Sequence, residues 1–364
     1  MKVALVYDRV NKWGGAERIL LTLHKLFPKA PLYTAVYNPK TAPWASVFDV
    51  KTSFLQNLPY ASSAHEWYPL LMPLAFESFS FDEYDVVISV TSEAAKGIIT
   101  SPFTKHICYC LTPTRYLWSG YNQYFSNPVF RFLSHPAVSY LKTWDHIAAQ
   151  RPDAYIAISQ EVQKRIKKYY ERDAICVYPG VTLPWEDKST EHRSNDYFLV
   201  VSRLVAYKRI DLAIKACNML SLPLKIIGIG SEEKKLRNMA SKTVEFLGNL
   251  TEKEVLRYYR SCTALIFPGY EDLGLSVIEA QASGKPVIAF EGGGALETIV
   301  RGKTGVFFTQ QTVNSLAEAL KSFQKMQFSK NACLEQAKKF SEEKFKSNFF
   351  KVLTELTKES NYEI

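Results

Sequence analysis

Short apolar runs alternate with helix-like stretches through both halves of the chain. In the first half, Val3 to Tyr7, Leu32 to Val36, Val86 to Val90, Ile107 to Cys110 and Ala154 to Ile158 read as strands, with helices over Gly15 to Phe27 and Gln160 to Tyr170. In the second half, Tyr197 to Ser202, Leu224 to Ile227, Val244 to Leu247, Thr263 to Phe267, Val287 to Phe290 and Gly305 to Phe308 read as strands, with helices between them. Steady alternation of strand and helix is the pattern of parallel α/β sheets. Ser159 stands directly before a helix, where its hydroxyl can accept from an N–H that the first turn leaves unpaired.

At 364 residues the chain is too long for one ordinary core, so two domains of comparable size are expected. The polar stretch from Trp185 to Asn195 has no apolar periodicity and reads as the connection. The expected division is therefore a domain over 1–184, a linker over 185–196, a second domain over 197–340 and a terminal helical piece over 341–364. That piece continues a helical segment running from about Asn331 to Leu356.

Composition narrows the class. Apolar residues make up 47% of the chain, ordinary for a globular protein, and no apolar run reaches the ~18–20 residues of a membrane span. Met1 to Tyr7 reads as a short strand and not as a signal peptide. The six cysteines are scattered, mostly in apolar runs, and read as reduced thiols of a cytoplasmic protein. No His/Cys cluster has structural-zinc spacing, and nothing resembles a nucleic-acid module. The net charge of +9 is spread over both halves, which suits an anionic substrate, an anionic membrane surface, or solubility alone.

The most informative stretch runs from Pro268 to Gly284. A buried strand ends at Phe267, a loop carries Glu271, and Gly274 precedes an apolar helix containing Glu279. A strand, a glycine turn and a helix start offer unpaired N–H groups to an anion, here after Gly274 at Leu275 and Ser276. Two carboxylates beside that anion can hold the hydroxyls of a sugar and of a ribose. Arg203 and Lys208 follow the first strand of the second half, where fixed cations would steady a departing diphosphate. Gly228 and Gly230 form a Gly-x-Gly after the next strand, and Gly248 ends the one after that. Gly14 and Gly15 lie between the first strand and the first helix, where backbone can approach a ligand. A triple glycine at 292–294 opens another helix and reads as support for the Glu271 loop.

Taken in order, these motifs resemble the retaining GT-B glycosyltransferases of family 4, which include sucrose synthases and bacterial O-antigen-type mannosyltransferases. The Glu-x7-Glu spacing of Glu271 and Glu279, the Arg203 and Lys208 pair, and the run from Arg151 to Ser159 carry the resemblance across almost the whole chain. It implies a GT-B fold, two Rossmann-like domains facing a cleft, with the terminal helix crossing back onto the first. It implies hexose transfer from a nucleotide sugar, first of all mannose from GDP-mannose, to a glycan or lipid-linked glycan. In that scheme Glu271, Arg203 and Lys208 are catalytic. Gly14, Gly15, Gly228, Gly248, Gly274, Leu275, Ser276 and Glu279 bind the donor, and neither a metal nor a cofactor is needed.

One position departs from the pattern. The family's His-Thr-Pro is Leu111-Thr112-Pro113 here, and leucine cannot bond a sugar hydroxyl. Thr112, Thr114 and Arg115 are the nearby polar candidates to replace the imidazole, while His106 is expected inside a strand. Two alternatives stay open: a partner subunit that binds nucleotide sugar without transfer, which Leu111 supports, and other chemistry on a nucleotide sugar such as epimerisation. The tract from Tyr116 to Trp144 is dense in aromatic and basic residues and suits a sugar platform, a peripheral membrane contact or plain core packing.

Overall fold

The computed structural model describes residues 1–181 and 196–358. These form two compact units, one built from Met1–Pro179 and the chain from Phe345 on, the other from Gly180–Lys344. The units divide after Pro179 and after Lys344, against sequence boundaries at 184 and 340. All of the linker read from sequence except Asp196 lies outside the described residues.

In the first unit, β1 (Val3–Tyr7), β2 (Leu32–Thr34), β3 (Val50–Thr52), β4 (Val86–Thr91), β5 (Lys105–Cys110), β6 (Ala154–Ala157) and β7 (Ile175–Cys176) form one parallel sheet in the order β3-β2-β1-β4-β5-β6-β7. In the second, β8 (Phe198–Val201), β9 (Leu224–Ile227), β10 (Val244–Gly248), β11 (Ala264–Phe267), β12 (Val287–Phe290) and β13 (Gly305–Phe308) form another, in the order β10-β9-β8-β11-β12-β13. Both are Rossmann-like α/β sheets, as the apolar runs predict. The physical reason shows in β8. Successive side chains point to opposite faces. Phe198 and Val200 join Ile226, Ile266, Leu316 and Leu320 on one side, while Leu199 joins Leu265, Val277 and Val287 on the other. With helices on both faces, every position of a central strand must be apolar.

Helix ends follow local chemistry. The Ser159 hydroxyl accepts from the Val162 N–H at 3.1 Å and starts the helix Gln160–Tyr170. Thr251 and Glu254 form a reciprocal capping box on the helix Glu252–Ser261. The terminal segment is two helices and not one, Lys330–Lys338 and Glu342–Lys358. The second begins in the second unit, and from Phe345 it belongs to the first, where Phe345 and Phe349 pack edge-on against Tyr109 of β5 with ring centroids 5.9 and 5.8 Å away.

The aromatic tract resolves into two parts. Leu117, Phe125, Val138 and Leu141 form a small core with Tyr116, Trp118 and Tyr121 against it. Phe130, Phe132, Tyr140 and Trp144 lie on a long helix, Pro128–Ala148, that sequence reading did not separate out and that also lends Val138 and Leu141 to this core. All six cysteines are free thiols, and all but Cys176 are buried. Among the described residues, no helix is long and apolar enough to cross a membrane.

His106 lies inside β5 and is fully buried, with its Nε2 2.8 Å from the Ser89 hydroxyl and its Nδ1 without a hydrogen-bond partner. Burial, reinforced by Arg151 and Arg172, pushes its pKa down from 6.5 to about 3. Between those values the unfolded chain binds a proton that the folded chain refuses. The contribution is complete above pH 6.5 and is lost as pH falls, at about 1.4 kcal/mol per pH unit. Urea midpoints measured from pH 7 to 4 should therefore fall more steeply for wild type than for His106→Asn. Equal slopes would show that His106 is not held neutral.

Candidate active site

In each sheet the strand order reverses once, between β8 and β11 in the second unit. Loops leaving the carboxyl ends of two such strands diverge to opposite faces and open a crevice between them, the usual place for a ligand in this architecture. The loop after β8 carries Arg203 and Lys208, and the loop after β11 carries Glu271. The structure brings two of these together: Lys208 Nζ forms an ion pair with Glu271 Oε2, with both side chains mostly buried. Arg203 is exposed, and its Nη2 donates to the Tyr207 hydroxyl at 2.9 Å. Glu279 lies in the helix Leu275–Ala282 and accepts from the buried Tyr259 hydroxyl at 2.9 Å. Tyr207 and Tyr259, which orient a cation and a carboxylate, had no signal in the sequence beyond being aromatic.

The glycines divide by role. Gly274 caps that helix with φ +87°, and an added Cβ would lie 2.7 Å from the Phe267 ring. It is required for conformation and for space, and it leaves the N–H groups of Leu275 and Ser276 in the first helical turn. At Gly228 φ is +133° and a Cβ would sit 1.9 Å from the Ser202 carbonyl oxygen, so glycine is demanded both by the backbone and by close packing of the β9 loop on the loop that bears Arg203. Around Gly248 an added Cβ would meet nothing within 4 Å, leaving that side open. The triple glycine after β12 is a buttress. The Gly294 N–H donates to the Glu271 carbonyl at 2.9 Å, and a Cβ at Gly293 would come within 2.3 Å of the same oxygen.

Gly14 and Gly15 belong to the first unit, at the start of the helix Gly15–Leu26 and beyond the carboxyl end of β1. That sheet reverses between β1 and β4. Asp8, just past β1, is fully buried and accepts from the Thr91 hydroxyl at 2.7 Å and from the Ser92 and Ala95 N–H groups at 2.8 and 2.9 Å. Burial first, then the nearby Glu93, raises its pKa. Arg9 pairs with Glu93 at 2.6 Å, and Tyr7 donates to Glu17 at 2.6 Å, which fixes the glycine turn to the strand before it. Sequence reading missed this acidic group because its members are separated by up to 85 residues, from Asp8 to Glu93.

Leu111 directly follows β5, with its N–H donating to the Thr91 carbonyl at 2.8 Å. Of the polar candidates to replace the absent imidazole, Thr114 is already engaged. It is buried and donates to Asp145 at 2.7 Å. The Thr112 hydroxyl, also buried, accepts from Arg165 at 3.4 Å.

Comparison with known proteins gives the setting. Residues 184–344 match the family of glycosyl transferases group 1. An uncharacterised glycosyltransferase of Methanocaldococcus jannaschii is 29% identical over 180 residues, which is 48% of this chain and 50% of that protein. The chain thus spans about half the length of that curated relative. Among solved structures, the lipopolysaccharide outer core galactosyltransferase WaaB in its apo form superposes with a TM-score of 0.69 at 17% identity, covering 98% of this chain and 99% of that one. Anabaena HepE in complex with UDP-glucose gives a TM-score of 0.70 at 18% identity, covering 98% and 100%. The chain therefore has the GT-B fold of glycosyltransferases, and its residues 184–344 are similar to glycosyl transferases group 1.

Proposed function

We propose that the protein is a retaining hexosyltransferase that takes its sugar from a nucleoside-diphosphate donor and passes it to a glycan or lipid-linked glycan. The observation that carries this reading is the Lys208–Glu271 pair at the β8/β11 reversal, with Arg203 on the same loop as Lys208. Cleaving a nucleotide sugar builds negative charge on the leaving diphosphate. Lys208, mostly buried in its pair, stabilises that charge more than it would in bulk solvent, and the exposed Arg203, held by the Tyr207 hydroxyl, adds a second cation. The N–H groups of Leu275 and Ser276, behind Gly274, add donors to the same anion. Glu271 then orients the sugar through its hydroxyls, and Glu279, steadied by Tyr259, holds the ribose.

Because cationic side chains neutralise the diphosphate, transfer proceeds without a divalent metal. GDP-mannose is the first donor to test, from the likeness to O-antigen-type mannosyltransferases. UDP-glucose is the second, from the HepE complex. A role in polysaccharide assembly at the cytoplasmic membrane face follows from a lipid-linked acceptor. The competing reading, a subunit that binds donor without transfer, draws on Leu111.

The test is a thermal-shift panel of nucleotide sugars, followed by transfer assays with the best ligand in excess EDTA. A ligand that binds only the folded protein at 100 times its Kd adds about 2.7 kcal/mol of stability. A donor-specific shift with transfer that survives EDTA is expected. A shift without any transfer would favour the binding subunit, and full loss in EDTA restored by magnesium would end the metal-free reading.

A further inference from the structure

We propose that the first half of the helix Pro128–Ala148 is a docking surface for an anionic lipid bilayer, an inference that rests on the lipid-linked acceptor read above. Four observations carry it. First, the helix buries side chains only at its far end, its near half resting on the unit through Phe130 stacked on Phe125 with ring centroids 5.6 Å apart. Its buried residues, Val138, Leu141, Asp145 and Ala148, all follow Pro136. Second, the half before Pro136 exposes Phe132, Leu133, Val129 and Phe130, with relative exposures of 79%, 71%, 66% and 55%. Large apolar side chains clustered in water at one helix end mark an interaction site, whereas scattered ones do not.

Third, charge favours an anionic partner. From Ala94 to Trp144 the chain has no Asp or Glu, in a protein with 36 acidic residues. Arg131 is held by the Phe125 carbonyl at 3.1 Å and Asn122 at 2.8 Å, and Lys142 lies 4.7 Å from the Trp118 ring centroid. No carboxylate pairs with either among the described residues; Arg131 stands beside the apolar end, and Lys142 lies further along the same helix, in its packed half. Apolar insertion combined with basic residues is how a helix lies on an anionic membrane. Fourth, the helix returns from β5 toward β6, two parallel neighbours. Its first residues therefore lie at the edge where the strands end, the same edge that carries Asp8, Gly14 and Leu111. A lipid-linked acceptor held there would keep its lipid in the bilayer.

The test is co-sedimentation with phosphatidylcholine vesicles with and without phosphatidylglycerol, at low and high salt. Wild type should bind only the anionic vesicles, and less so at high salt. The triple variant Phe130→Ser, Phe132→Ser, Leu133→Ser should bind about 100-fold more weakly. The variant Arg131→Gln, Lys142→Gln should lose about thirtyfold, which salt should then affect less. Absence of wild-type binding at low salt would overturn the proposal, as would unchanged binding by both variants. A concentration-dependent dimer abolished by the triple variant, with no vesicle binding, would assign the surface to a second copy of the chain instead. Calorimetry with GDP and UDP on the same preparations separates the two readings. Nucleotide binding without vesicle binding ends the docking proposal alone, and vesicle binding without nucleotide binding ends the transferase reading alone.

Discussion

Replacing Lys208 with alanine should lower the transfer rate by about 10²–10³ while leaving the fold intact, the scale seen when one preorganised charge partner of a transition state is removed. The side chain lies in a 3₁₀ turn after β8, at the crevice and outside the apolar clusters, so its loss opens no core cavity. Donor affinity should fall as well, by about tenfold or more, since a charge-assisted bond to phosphate is worth about 1.5–3 kcal/mol. Glu271→Gln should behave differently. Lys208 is paired with Glu271, so a diphosphate must compete with that carboxylate. Removing the negative charge should tighten nucleoside-diphosphate binding while cutting turnover. Calorimetry and steady-state rates on both variants decide the matter. A folded Lys208→Ala protein with wild-type turnover would remove Lys208 from the chemistry, and weaker diphosphate binding by Glu271→Gln would show that the pair does not compete with ligand.

The largest effect on stability should come from the other unit. Lys96 and Asp145 are both almost fully buried and pair at 2.5 Å. The Lys96 ammonium also donates to the Glu93 carbonyl and lies 5.3 Å from the Tyr170 ring centroid. Asp145 takes bonds from Thr114 and from the Trp118 indole N–H, each at 2.7 Å. Such a pair repays its desolvation only while every member is present. Lys96→Met should cost about 3–5 kcal/mol, because Asp145 is left as an uncompensated buried charge. Adding Asp145→Asn should recover part of that loss, since an amide oxygen can still accept from Trp118 without carrying charge. Denaturant titrations of the two variants check this. A double variant less stable than Lys96→Met alone would show that the pair is not the source of the cost.

The strands were legible because parallel sheets covered on both faces need unbroken apolar runs, and Val3–Tyr7 or Val86–Thr91 can be little else. β3 and β7 were missed. Val50–Thr52 and Ile175–Cys176 lie at the two edges of the sheet, are short and only partly buried, and so leave no apolar signature. The helix Pro128–Ala148 was obscured because Pro136 interrupts it and its first half obeys no burial period. At the site, residue type and local spacing singled out Glu271, Gly274 and Lys208. Strand order decides that Lys208 and Glu271 meet across 63 residues, and no local pattern encodes strand order. The glycine demand at Gly228 shows the converse. Sequence suggested a ligand turn, and geometry supplies a packing reason through Ser202.

The sharing of the helix Glu342–Lys358 between the two units has a consequence for biosynthesis. Tyr109 receives its covering rings, Phe345 and Phe349, only after the whole of the second unit has left the ribosome. Domains usually fold in the order in which they are made. Here the first unit to be synthesised is the last to be finished, and a nascent chain paused before Phe345 would display an open apolar face on β5.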